Sequence, residues 1–231
     1  MKTDEYMDNA ATNPADNAIV IDKLTLEYGT QALFRRFSLT VPAGQKVLLV
    51  GSSGSGKSSL VRCLLGFVTP QEGTIAIDGT ILDGKTVWFL RRKIGYVSQE
   101  PQLGTGKVKD LIQLPFTYHA NAHLKYDSCQ QARLFEQFRL GGALLDKDIS
   151  ELSGGEKQRV ALVISLLLGR SIYLLDEATS ALDAQAKAAV LDYFRQRPDL
   201  TVLMVSHDTA IAAIADRTVT MPAVIAGEAA R

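Results

Sequence analysis

Cysteine, tryptophan and histidine are scarce in this chain of 231 residues, with two, one and three of each. Cys63 and Cys129 have neither the spacing of a zinc site nor the density of a disulfide framework. Covalent stapling is therefore excluded as the basis of the fold, and a reducing compartment is the simplest setting. Cys63 reads as a small packing residue. His119 and His123 stand i, i+4, a metal-pair spacing on a helix, yet no Cys or carboxylate cluster accompanies them and Pro115 interrupts the local helix. Exposed histidines are favoured over a metal site. An excess of one charge is also missing: 25 Lys and Arg balance 25 Asp and Glu. A strongly basic nucleic-acid surface is excluded. No apolar run is long enough to span a bilayer, which takes about 20 residues; the most apolar stretch is Val160 to Leu168. The polar, acidic start lacks the apolar segment of a secretory signal, and residues 1–17 read as a flexible leader. The chain is expected to be soluble by itself, with any membrane role supplied by a partner.

What is present is apolar in quantity, 46% of residues, enough for one α/β domain with a substantial core. Its organising stretch is GSSGSGKS, Gly51 to Ser58. The run Val47 to Val50 ahead of it reads as a buried strand. The segment after it, with Leu60, Val61, Leu64 and Leu65 on one face and Gly66 as a stop, reads as a helix. A glycine-rich turn between strand and helix is the setting of a phosphate loop. Gly51, Gly54 and Gly56 let the backbone curl, so that the N–H groups of Ser52, Ser53, Ser55 and their neighbours through Ser59 point at phosphate oxygens. The helix N-terminus adds partial positive charge. Lys57 would reach the β- and γ-phosphates, and Ser58 would offer its hydroxyl to Mg²⁺.

Alternation predicts an antiparallel strand pair over Ala18–Tyr28 and Ala32–Val41. Further strands are predicted at Thr74–Asp78, Lys93–Val97, Ile172–Leu175, Leu200–Val205 and, at an edge, Thr218–Met221. Helices are predicted at Trp88–Arg92, Leu111–Phe116, Ser128–Leu140, Gly155–Leu168, Ala184–Arg197 and Thr209–Ala215. Strand signals fade from Glu100 to Ile149, which marks a helical insertion. Trp88 reads as a packing or flank residue. The strand Ile172–Leu175 ends in Asp176 and Glu177, which places two acids at the sheet edge where the phosphate loop opens. Asp176 would hold Mg²⁺ or its water, and Glu177 would polarise the water attacking the γ-phosphate.

Leu152-Ser153-Gly154-Gly155-Glu156-Lys157-Gln158-Arg159, just ahead of that strand, resembles the signature motif of ATP-binding cassette (ABC) ATPases. Other marks follow in family order. Tyr28 resembles the aromatic that stacks on adenine, Gln99 the lid glutamine that contacts Mg²⁺ or water, Ser180 to Asp183 the loop after the catalytic Glu, and His207 the switch histidine. The resemblance implies an α/β fold with a P-loop NTPase core of the ABC type: a parallel or mixed sheet, antiparallel N-terminal strands and an inserted α-helical subdomain. It implies a single domain over 18–225, with core 18–99 and 155–225 and the subdomain at about 100–154. Ser153 can cap its helix with Glu156 completing a capping box, and Ser153, Gly154 and Gly155 with the helix dipole also form a second anion site. One chain does not need two γ-phosphate cradles. The family pairs two copies head to tail, so that the signature of one closes over ATP on the phosphate loop of the other.

The implied activity is ATP hydrolysis driving a separate integral membrane permease, from the cytoplasmic face of the membrane and without nucleic acid. A GTPase is disfavoured by the lack of an Asn/Thr-Lys-x-Asp motif. A chromosome or repair ATPase would carry a coiled coil, whereas only roughly fifty residues separate Gln99 from Leu152, without heptads. A translation factor would carry two cassettes. A degenerate scaffold is disfavoured because Lys57, Asp176, Glu177 and His207 are all in place. No room is expected for a carboxy-terminal regulatory domain. Ser98 to Phe116 and Asp148 to Arg159 resemble the small iron-export (FetA-like) ATPases. Glu156 after the two glycines is shared with lipoprotein-release and macrolide-export ATPases, and Leu103 stands where family members often have Phe.

Overall fold

The computed structural model describes residues 16–28 and 31–222. Most of the expected leader and the end of the expected domain lie outside them; Asn17, assigned above to the leader, is the first residue of a strand. In chain order the strands are β1 (Asn17–Tyr28), β2 (Gln31–Pro42), β3 (Lys46–Val50), β4 (Glu72–Ile77), β5 (Thr80–Ile81), β6 (Ile94–Val97), β7 (Ile172–Asp176), β8 (Thr201–Val205) and β9 (Arg217–Thr220). The helices are α1 (Lys57–Leu64), α2 (Val87–Arg91), α3 (Val108–Gln113), α4 (Ser128–Gln137), α5 (Gly154–Leu167), α6 (Ala184–Arg195) and α7 (Thr209–Ala212).

The strands form two sheets. The first, in the order β2-β1-β4-β5, is antiparallel throughout. The second, in the order β6-β7-β8-β3-β9, is parallel throughout. Together with the helices this is the parallel sheet with antiparallel N-terminal strands expected above. Both faces of the parallel sheet are covered, which is why its central strands are continuous apolar runs. Side chains alternate between two cores. Val47, Leu49, Leu174, Leu203 and Val205 face α1 and the antiparallel sheet. Leu48, Tyr173, Leu175, Val202 and Met204 face α5, α6 and the helices that follow β6.

The looser alternation of β1 has a definite cause. Ile19 and Ile21 are odd-numbered, Leu24 and Leu26 even-numbered, and all four are buried. The register shifts between Ile21 and Leu24, where Lys23 has φ +49°. An extra residue in one strand of a pair returns the next side chains to the same face. In β2, Arg36 at φ +51° lies between even-numbered Phe34 and odd-numbered Phe37, Leu39 and Val41.

Helix α1 ends in a Schellman arrangement. Gly66 at φ +67° donates to Cys63 O, and the Phe67 N–H donates to Arg62 O. Cys63 is buried, which pushes its thiol pKa up to about 11 and makes it inert packing. Trp88 flanks the core and does not pack into it. It is 72% exposed, and the Arg91 guanidinium lies 4.9 Å from its ring and 4.3 Å from that of Phe67. Between Glu100 and Leu152 the described residues form α3, α4 and short 3-10 turns, with one isolated bridge, Lys107 to Asp148. His119 opens a three-residue 3-10 turn, so the helical spacing needed to aim it with His123 at one metal does not occur. Both are exposed. No group of three or more metal-ligating His, Cys, Asp or Glu side chains occurs among the described residues.

Candidate functional site

Parallel strands deliver their following loops to one edge of the sheet. Here β3 leads into Gly51 to Gly56, β6 into Gln99, β7 into Glu177, and β8 into Ser206 and His207. These loops enclose a cavity of about 320 Å³. Ser53, Gly54, Gly56, Lys57, Ser58 and Ser59 form one wall, and Gln99, Asp176, Glu177 and His207 the other. Leu33 and Val205, not singled out in the sequence, also line it.

Gly51, Ser52 and Ser55 shape the loop from behind. Lys57 Nζ donates to Gly51 O at 2.8 Å and to Ser52 O at 2.9 Å, and lies 3.4 Å from Ser55 Oγ. These contacts hold the ammonium across the curled backbone. Gly56 is the N-cap of α1, with φ +89° and no side-chain cap. The first N–H groups of that helix are therefore left for a ligand, with the positive end of the helix dipole behind them. A Cβ on Gly56 would lie 3.0 Å from the Phe34 ring and 3.3 Å from Leu33.

Asp176 is buried, and burial raises its carboxyl pKa above the usual range, with the Ser58 hydroxyl, Arg62 and Lys57 opposing that rise. Ser58 Oγ donates to its Oδ1 at 3.4 Å. Ser58, Asp176 and the Gln99 amide present a hard oxygen set, which suits Mg²⁺. Glu177 has φ +51°, unusual for a residue with a side chain, and its N–H donates to Val205 O at 2.9 Å. A conformation of this kind persists only where the surroundings enforce it. Glu177 Oε1 lies 3.6 Å from His207 Nε2, and Ser206 Oγ lies 3.5 Å from Oε2. Tyr28 closes β1, but its side chain is outside the described residues.

Ser153, Gly154 and Gly155 are elsewhere. They line a separate hollow of about 350 Å³ with Arg159, Ala181, Leu182 and Asp183. Ser153 caps α5 in a capping box: Glu156 N–H donates to Ser153 Oγ at 3.3 Å, while Ser153 N–H reaches Glu156 Oε2 at 2.9 Å. A further groove of about 540 Å³ runs beside Gln99, between Glu100–Thr105 and Asp148–Ser150. The sequence reading placed Gln158 in the signature stretch without giving it a role; it is fully buried on α5 and bonded to the loops after β6 and β7. Its traces in the sequence are its place in the signature stretch and an amide set against the apolar run that follows.

Residues 34–180 match the family described as ABC transporter. The chain belongs to that family. As an ABC ATPase it has relatives with different roles. It is 33% identical over 210 residues to the mesentericin transport/processing ATP-binding protein MesD of Leuconostoc mesenteroides, covering 89% of this chain and 29% of that one. It is 35% identical over 215 residues to the energy-coupling factor transporter ATP-binding protein EcfA1 of Bacillus licheniformis, covering 89% and 75%. The dimeric structure of MJ0796, a bacterial ABC transporter cassette, superimposes with a TM-score of 0.78 at 26% identity, covering 88% of this chain and 94% of that one. Neither relative's name refers to iron export. No helix among the described residues is long and apolar enough to cross a membrane.

Proposed function

We propose that this chain is the ATP-hydrolysing subunit of an ABC transporter, and that two copies pair head to tail with ATP between them. The observation that carries this reading is that the Lys57 cavity and the Ser153–Gly155 hollow are separate in one chain. Each is half of a phosphate-binding arrangement. A two-fold pairing lets the signature of one copy close the cavity of the other.

Within that cavity the residues divide the work. The N–H groups of Gly51 to Ser59 and the Lys57 ammonium hold the phosphates. Ser58, Asp176 and Gln99 would hold Mg²⁺, which when bound neutralises charge on the β- and γ-phosphates. Glu177 orients and polarises the attacking water, and His207, 3.6 Å from its carboxylate, steadies Glu177 and contacts the γ-phosphate. Tyr28 stacks on adenine. Ser153 with the N–H groups of Gly154 and Gly155 completes the site on the opposite copy.

The groove beside Gln99 suits a short coupling helix from a separate integral membrane permease, which would hold the chain at the cytoplasmic face of the membrane. The working unit is a single ABC domain over 18–225, with its helical subdomain at about 100–154. Export of iron rests only on the stretches 98–116 and 148–159, and the named relatives serve a bacteriocin exporter and an energy-coupling factor transporter. A purified complex with its membrane permease, assayed for cargo-stimulated turnover, decides the cargo. For the ATPase itself, Glu177→Gln is expected to lower turnover by about a hundredfold or more and to accumulate an ATP-bound dimer on gel filtration. Unchanged turnover would remove Glu177 from the mechanism.

A further inference from the structure

Gln158 is fully buried near the start of α5, between the signature residues and the apolar body of the helix. Its side-chain amide makes three bonds to two loops, the one after β6 and the one after β7. Nε2 donates to Gln99 O at 3.1 Å and to Glu177 O at 3.2 Å, and Oε1 accepts the Ala181 N–H at 3.2 Å. No other donor or acceptor sites of the amide are needed to satisfy it. The loop carrying Ala181 is held against α5 at a second point, because a Cβ on Gly155 would lie 2.7 Å from Ala181 O. Glu177, whose carbonyl accepts from both Gln158 and the Ser180 N–H, has φ +51°.

We propose that Gln158 is a positioning residue that fixes the peptide of Glu177 relative to the signature helix. The helix that presents Ser153 to the nucleotide of the opposite copy then also sets the conformation of Glu177 in its own site. Engagement of Ser153 is thereby transmitted through one side chain to the Gln99 loop and to the loop that carries both Glu177 and Ala181. This inference rests on the ATPase reading above. A purely structural role for a buried amide would cost stability when lost, with no separation of binding from chemistry. A positioning role separates them.

Gln158→Met preserves length and approximate volume while removing all three bonds. The full chain carrying it is expected to fold, to keep its KM for MgATP within about threefold, and to lose kcat by about tenfold or more. Because Ser153 is intact, the variant should accumulate an ATP-bound dimer even with Glu177 present. Ala181→Pro removes the N–H given to Oε1 from an exposed loop position, and it should likewise lower kcat, by a smaller factor, with KM again kept within about threefold. That variant carries the test if Gln158→Met does not fold. Wild-type kcat in a folded variant, or a kcat loss matched by lost ATP binding, overturns the proposal. The underlying reading fails separately, if Glu177→Gln turns over like wild type. A silent Glu177→Gln removes the ATPase assignment, whereas silent Gln158→Met and Ala181→Pro beside an inactive Glu177→Gln remove only the role of Gln158.

Discussion

Glu156 shows how one side chain can serve both helix and site. Bonds from the Ser153 N–H and hydroxyl hold its carboxyl pKa below the ordinary 4.5. A carboxyl depressed in the folded state contributes stability that is fully present above its unfolded pKa and is lost as pH falls through the folded one. Glu156→Ala should therefore lower the thermal midpoint at pH 7, and the gap to wild type should close as pH falls below about 4.5. A gap that persists unchanged at pH 3 would show that the carboxylate is not what closes the cap. The same carboxylate accepts from Ser153 Oγ at 2.8 Å, so the serine hydroxyl is oriented by its own helix. Asp176 is the opposite case: burial raises its pKa, a cost that a bound cation offsets.

Among the elements, α1 and its entry loop set the requirement most sharply. Gly56 combines φ +89° with close packing against Phe34 and Leu33. Gly56→Ala is expected to destabilise the chain by about 1–3 kcal/mol through backbone strain alone, and to weaken nucleotide binding because the loop must shift. Urea midpoints and nucleotide titration read the two effects, and wild-type values for both would show that the left-handed turn is not required. This element was legible in the sequence because glycine placement, a buried strand and an amphipathic helix all specify the same turn. The bulges at Lys23 and Arg36 were less so. They appear only as a change of parity between Ile21 and Leu24 and between Phe34 and Phe37, and either could equally mark a strand end. Gln158 was legible only as a member of the signature stretch, since its three partners, distant in sequence, are invisible to local periodicity. Trp88 carries large apolar area, which suggests burial, yet it is exposed beside Arg91.

At the scale of the whole molecule, the sequence carries two motifs expected to bind anions, and the fold keeps them in separate hollows. The account therefore requires the two motifs to act across a pair of chains. Lys57→Ala removes the ammonium from one half of the site. Gly154→Asp damages the other half. A Cβ there meets nothing closer than Ala181 at 3.9 Å, so the chain should still fold while its new carboxylate repels phosphate. Each variant alone should be inactive. A mixed dimer contains one intact composite site, formed by Lys57 of the second variant and Gly154 of the first. The deciding measurement is ATP turnover of the two variants mixed in equal amounts. Recovery of about a quarter of wild-type activity is predicted from random pairing of two-fold dimers. A mixture as inactive as its components, or a Gly154→Asp chain that is fully active by itself, would contradict the shared site.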